Sequence, residues 1–219
     1  MAPPSYVEAV SYGVYEGAMR GAIHALKYDR IRALARPLGA RLAEAIEQLG
    51  DGAPREMLVV PVPLHRGRMA ERGFNQARVL AKEAVKVLSV TRPEWKLEVS
   101  PMALVRQRST ESQSGLTPRQ RRQNLRGAFF VSDAAMVRGR HILLVDDILT
   151  TGATARACSR ILVEAGAASV RVATLARAQR RVPQMMRDDR KFIRLSIGEG
   201  ALQGVAPAKT VTVHAVQGT

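Results

Sequence analysis

The stretch HILLVDDILTTGAT, residues 141–154, sets two carboxylates, Asp146 and Asp147, beside a short turn of hydroxyls and glycine: Thr150, Thr151, Gly152, Ala153 and Thr154. An ionised carboxylate accepts hydrogen bonds and donates none. Two adjacent ones therefore suit a sugar diol, with one or two bonds each. The turn suits an anion. A helix opening after it presents unpaired N–H groups and a partial positive charge. Gly152 lets the backbone come close to a ligand, and the threonine hydroxyls add donors, which together make a monophosphate cradle. A ribose 5-phosphate matches both halves, with its phosphate in the turn and its 2′- and 3′-hydroxyls on the aspartates. The same carboxylates favour a divalent cation nearby, directly or through water.

Simpler explanations compete with this reading. A lone Thr-Thr-Gly before a helix is ordinary capping, but an apolar strand, an acidic pair and a hydroxyl-rich glycine turn in succession are not. A receiver domain also contains an LLVDD segment. It needs a phospho-accepting aspartate after a later strand, and the only later aspartates, Asp188 and Asp189, sit in the charged run MRDDRK. The nucleotide fingerprints G-x-G-x-x-G and G-x-x-x-x-G-K-[ST] are absent.

The elements that must position these groups follow from periodicity. Val14, Ala18, Ala22 and Leu26 predict a helix over 14–28, and Ile31 to Leu49 predict a second, restarted near Arg36 by Pro37. MLVVPVPL (57–64) reads as a buried strand. GFNQARVLAKEAVKVL (73–88) reads as an amphipathic helix, and short strands are expected near 97–99, 102–105 and 128–131. HILLVDD, TARACSRILVEAGA and SVRVATLA then give strand, helix and strand, with Gly166 as the helix stop. Apolar strands alternating with helices imply an α/β fold with a parallel sheet covered on both faces. The sheet is expected from residue 57 to about 176. Residues 1–56 form a helical hood, 57–178 the core, and 179–219 a tail in which TVTVHAV (210–216) is a candidate edge strand. The polar, basic segment 106–127 is too long for an ordinary connection and reads as a functional lid or a disordered stretch.

Composition bounds the partners. The formal charge is +15, with 34 Lys and Arg against 19 Asp and Glu. Such a chain attracts polyanions, whether nucleic acid or phosphate-rich small molecules. Aromatic residues are only 4%, so stacking platforms for bases are sparse. One cysteine, Cys158, excludes an internal disulfide and any zinc site made of several cysteines. It lies mid-helix among small residues and reads as packing. No apolar run approaches the ~20 residues of a membrane span, and MAPPSYVEAV lacks the basic start and apolar stretch of a signal peptide. A cytoplasmic protein without membrane insertion is the expectation.

ILLVDDILTTGAT resembles the phosphoribosyl pyrophosphate signature of type I phosphoribosyltransferases. HALKYDRIRALARPLGARLA, VPVPLHRGRMAERGFNQA and LVRQRSTESQSGLTPRQRRQNLRGAF narrow the resemblance to the ComF competence-protein family, over residues 10–178. The resemblance implies a sheet of about five parallel strands with helices on both faces and an N-terminal hood. It implies that Asp146 and Asp147 hold the ribose hydroxyls, with Thr150, Thr151, Gly152, Ala153 and Thr154 on the 5-phosphate. Leu64, His65 and Arg66 would approach the pyrophosphate, Mg²⁺ would enter with the substrate, residues 106–124 would form the lid, and Lys27 would belong to the hood motif facing the pocket. Members of this family commonly carry a cysteine-rich zinc finger at the N-terminus, which a chain with one cysteine cannot build.

Two functional readings stand. In the first, a Mg²⁺-assisted phosphoribosyltransferase moves phosphoribose from phosphoribosyl pyrophosphate to a nitrogen acceptor, in a role connected with DNA uptake. In the second, the fold senses phosphoribosyl pyrophosphate or binds single-stranded DNA or another nucleic acid without turnover. Arg66, Arg68 and Arg72 supply either pyrophosphate contacts or a solvated face. Arg106, Arg108, Arg119, Arg121 and Arg122 flank the lid and fit closure over pyrophosphate as well as a grip on a nucleic-acid backbone. His65 has no second ligand at metal spacing. The acceptor and a homodimeric state are left open.

Overall fold

The computed structural model describes residues 5–107, 127–178, 193–196 and 213–214. A seven-stranded sheet runs through it. Its strands are β1 (Glu8–Val14), β2 (Glu56–Pro61), β3 (Lys96–Val99), β6 (His141–Leu149), β7 (Ser169–Arg177), β8 (Ile193–Ser196) and β9 (Val213–His214), in the spatial order β3-β2-β6-β7-β1-β8-β9. The first five in that order are parallel, and β8 and β9 add to the edge antiparallel. β4 (Leu104–Arg106) and β5 (Phe129–Val131) form a separate antiparallel pair.

The helices are α1 (Gly17–Lys27), α2 (Ala35–Glu47), α3 (Arg66–Arg72), α4 (Gln76–Thr91) and α5 (Ala153–Glu164). One face of the sheet packs Leu143, Val145 and Leu175 against Ile23 and Leu26 of α1, Leu42 and Ile46 of α2, and Leu80 and Leu88 of α4. The other packs Leu58, Ile142, Leu144 and Val172 against Cys158 and Leu162 of α5. Continuous apolar strands are what a sheet covered on both faces demands.

Two expectations need correction. The sheet does not begin at residue 57. Residues 8–14 form β1, paired with β7 from Glu8↔Arg171 to Val14↔Arg177, so α1 begins at Gly17 rather than Val14. β1 hides polar groups that only a partner strand explains. Glu8, 4% exposed, accepts from Arg171 at 3.1 Å, and Ser11 bonds Thr174 at 2.7 Å. The predicted strands near 102–105 and 128–131 exist as β4 and β5, but outside the main sheet. The helix expected over 73–88 is present as α4, and a short helix that the sequence did not announce, α3, precedes it. Gly73 ends α3, and Asn75 caps α4 by accepting from the Arg78 N–H at 3.2 Å while donating to the Val62 carbonyl at 2.9 Å. Pro37 falls in the first turn of α2, where a missing N–H costs little, and the helix restarts at Ala35. At the far edge lies β9; the rest of the 210–216 segment, read as a candidate edge strand, lies outside the described residues.

Candidate functional site

The site forms where the parallel strands end. β6 and β2 lie side by side, with Pro61 opposite Val145 and the Val62 N–H bonded to the Val145 carbonyl at 2.8 Å. This brings the turn after β2, carrying Leu64, His65 and Arg66, to the same edge as the acidic pair. An open parallel sheet binds ligands at this edge.

The aspartates sit inside the strand rather than after it. β6 stays paired with β7 as far as Leu149↔Arg177. Successive strand residues point to opposite faces, so the two carboxylates part company. Asp146, on the side of Leu144 and α5, lines a solvent-open cleft with about 290 Å³ of space, shared with Thr150, Gly152, Ala153 and Thr154 and with apolar Val62 and Val172. Asp147, on the side of Val145 and α1, is 7% exposed and pairs with Lys27, Nζ to Oδ2 at 2.7 Å. The Asp147 N–H donates to Asp146 Oδ1 at 2.9 Å.

Electrostatics separates the pair further. Burial, then the neighbouring Asp147 charge, push the Asp146 carboxyl up from 3.8 to about 7, against the pull of Lys27 and Arg106. Burial works against the Lys27 charge too, but Asp147 and Asp146 outweigh it and hold the ammonium above the ordinary lysine value. Burial and the nearby Arg68 charge lower Arg106, whose guanidinium lies 5.4 Å from the Phe129 ring centroid. Arg106, Arg68 and Asp146 thus share one electrostatic neighbourhood.

The turn itself is held from within. Gly152 has φ +71°, in the left-handed region, and is the residue before α5. Arg156, one helical turn on, donates from Nη2 to the Thr151 carbonyl at 2.6 Å, and its backbone N–H bonds the Gly152 carbonyl at 2.9 Å. The Thr151 hydroxyl oxygen is buried with no hydrogen-bond partner. A buried hydroxyl without a partner is costly, and a bound anion's oxygen would satisfy it.

Other predicted residues take clear places. His65 caps α3, its Nδ1 accepting from the Gly67 N–H at 3.2 Å. Arg66 is exposed at the start of α3. Cys158 is 0% exposed, and burial followed by Asp146 raises its thiol well above the ordinary value, so it packs as a protonated side chain. Arg108, Arg119, Arg121 and Arg122, with most of the 106–127 segment, lie outside the described residues. Among the described residues no group of three or more His, Cys, Asp or Glu converges on a metal position, and no helix is long and apolar enough to cross a membrane. Sequence reasoning missed Arg156 and Thr174. Arg156 had a signal, an arginine four residues after the turn glycine. Thr174, opposite Asp146 on β7, had none.

Comparisons with known proteins agree with this geometry. The phosphoribosyl transferase domain family matches residues 69–204. The "DNA utilization protein YhgH" of Escherichia coli K12 is 34% identical over 179 residues, covering 80% of this chain and 74% of that protein. "Competence protein F" of Haemophilus influenzae is 36% identical over 121 residues, or 55% of this chain and 50% of that protein. "Competence protein ComFC" of Bacillus subtilis is 37% identical over 125 residues, or 57% and 46%. With a parallel sheet of five strands flanked by helices, and the acid-and-threonine segment at its ligand-binding edge, the chain belongs to the ComF family within the phosphoribosyltransferase superfamily.

Proposed function

We propose that the protein binds phosphoribosyl pyrophosphate and transfers its phosphoribosyl group to a nitrogen acceptor, releasing pyrophosphate. The observation that carries this is one cleft holding Asp146 together with the Thr150–Thr154 turn. The 5-phosphate sits on the N–H groups of residues 151–154 and the Thr151 hydroxyl, beside the Arg156 guanidinium. Asp146 accepts from a ribose hydroxyl, and Asp147 does so through the carboxylate that Lys27 steadies.

In the reaction a bond forms between the acceptor nitrogen and C1 while the bond from C1 to the pyrophosphate oxygen breaks. The acceptor nitrogen loses its proton to solvent or to a neighbouring base. Positive charge develops at C1, as in other glycosyl transfers. The Asp146 carboxylate, nearest the ring, stabilises that charge, and Arg66, Arg68 and Arg106 face the departing pyrophosphate. A divalent cation fits here. Asp146 holds a charge that burial and Asp147 oppose, and a cation carried on the pyrophosphate would offset the ligand's charge from the far side of the site. Mg²⁺ would neutralise the leaving group. Calorimetry with phosphoribosyl pyrophosphate and Mg²⁺, with and without nucleobases, alongside pyrophosphate release, tests the proposal. Absence of binding would sink it. Binding without release for any acceptor would leave a sensor.

A second reading, nucleic-acid handling, is favoured by one surface. Arg30 and Arg32 reach from the α1–α2 connection to the carbonyls of Glu71 and Gly73, where Arg72 lies over the 56%-exposed Tyr28 and exposed Arg66 opens the same helix. The names of the relatives, DNA utilization and competence, point the same way. Single-stranded DNA binding with a steep salt slope, lost on replacing Arg30, Arg66 and Arg72 by Ser, would support it. Salt-independent or absent binding would dismiss it.

A further inference from the structure

Lys27 closes α1, where a lysine ordinarily extends into water and offsets the terminal carbonyls. Here its side chain is 16% exposed and lies 2.7 Å from a carboxylate that is 11% exposed. Neither partner can leave easily. Ile23 and Leu26 anchor α1, fully buried, on the same sheet face as Val145. The residues that follow are fastened across the site. The Arg72 guanidinium lies 5.1 Å over the Tyr28 ring, and Arg30 donates to the Glu71 carbonyl. Arg32 donates to the Gly73 carbonyl at 3.2 Å and stacks on Phe74 at 4.9 Å. One continuous segment, 27–32, therefore ties Asp147 on β6 to α3 beyond β2.

Two adjacent carboxylates facing an anionic ligand carry a charge problem. A divalent cation at the carboxylates is the usual remedy. In this chain a fixed ammonium already stands at one of them, and its field reaches the other. We propose that Lys27 is a built-in cation of the acidic pair: a positioning residue that neutralises Asp147, sets the geometry of the pair, and replaces a divalent ion at the carboxylates. The need for a divalent ion is then confined to the pyrophosphate end of the ligand. The ligand half of this proposal rests on the ribose phosphate reading; the metal half does not.

The metal half is tested by Mn²⁺ titration of the ligand-free full chain, followed by electron paramagnetic resonance. Wild type should bind Mn²⁺ weakly. Lys27→Met, which removes the cation from Asp147 and its field from Asp146, should bind at least about tenfold more tightly, while Lys27→Arg should match wild type. The ligand half uses ribose 5-phosphate, which lacks pyrophosphate, titrated in EDTA and in excess Mg²⁺. Wild-type affinity should differ by less than about threefold between the two, whereas Lys27→Met should lose at least about tenfold in EDTA and regain it with Mg²⁺. Should Lys27→Met not fold, Lys27→Gln keeps a hydrogen bond to Asp147 without the charge and should show the same divalent dependence. Unchanged Mn²⁺ affinity in the charge-free variant overturns the proposal, as does an EDTA loss that Mg²⁺ does not restore. If wild type ignores ribose 5-phosphate in both buffers, the proposed function falls instead, and the Mn²⁺ result alone decides the role of Lys27.

Discussion

Asp146→Asn should stabilise this protein at alkaline pH and much less so in acid. In the folded chain the Asp146 carboxyl titrates at about 7, against an ordinary 3.8. Between those values the folded state keeps a proton that the unfolded state has lost. Stability therefore falls as pH rises through the window and is flat above it. The slope is about 1.36 kcal/mol per pH unit. From pH 5 to pH 8 only the part up to about 7 counts, so the carboxyl should cost the wild type about 3 kcal/mol over that range. Asparagine keeps the shape and has no proton to lose. Urea denaturation of both proteins at pH 5 and pH 8 isolates the effect, because every other titrating group is common to the two. The stability difference, asparagine minus wild type, should be larger at pH 8 by about 2–3 kcal/mol. An equal difference at both values would show that Asp146 titrates normally. The account of burial and the Asp147 field would then be wrong.

The neighbouring substitution should act in the opposite direction. Asp147→Asn leaves the Lys27 ammonium buried without its carboxylate and should destabilise by about 3–5 kcal/mol, as breaking a buried pair does; urea midpoints measure it. Gly152→Val places a β-branched residue at φ +71° with its Cβ about 3.0 Å from Arg156 Nη1. It should cost about 1–2 kcal/mol in stability and abolish ribose 5-phosphate binding in calorimetry while sparing pyrophosphate. Equal losses for both ligands would mean general damage. Arg156→Met removes the donor to the Thr151 carbonyl and should weaken ribose 5-phosphate by about tenfold or more, as loss of a charged hydrogen bond does.

The parallel core and the turn were legible because their signals are local. ILLV and MLVV are continuous apolar runs that only a doubly covered strand explains, and Gly152 among threonines announces a backbone that must approach something. β1 was hidden because its buried residues include Glu8 and Ser11. These are tolerable only through Arg171 and Thr174, more than 160 residues away. Val14 also kept helical register with Ala18, so periodicity extended α1 backwards. α3 went unannounced because its seven residues bury no side chain and so leave no amphipathic pattern to read. The Lys27–Asp147 pair shows the same limit at the site. A lysine in the last turn of a helix is ordinary, and nothing local says that this one points inward. That β6 continues past both aspartates, as far as Leu149, was not legible either, because the apolar run stops at Val145.

β1 also places a burden on synthesis. It leaves the ribosome before every other strand of this sheet, yet its parallel partner β7 follows 163 residues later. At about 5–20 residues per second, the first strand waits roughly eight to thirty seconds for β7 to be made. Throughout that interval an apolar segment carrying an unneutralised glutamate has no sheet to join. Docking at such sequence separation makes folding slow and late. Until β7 is complete the nascent chain carries an unpaired strand, and unpaired edges are where aggregation begins.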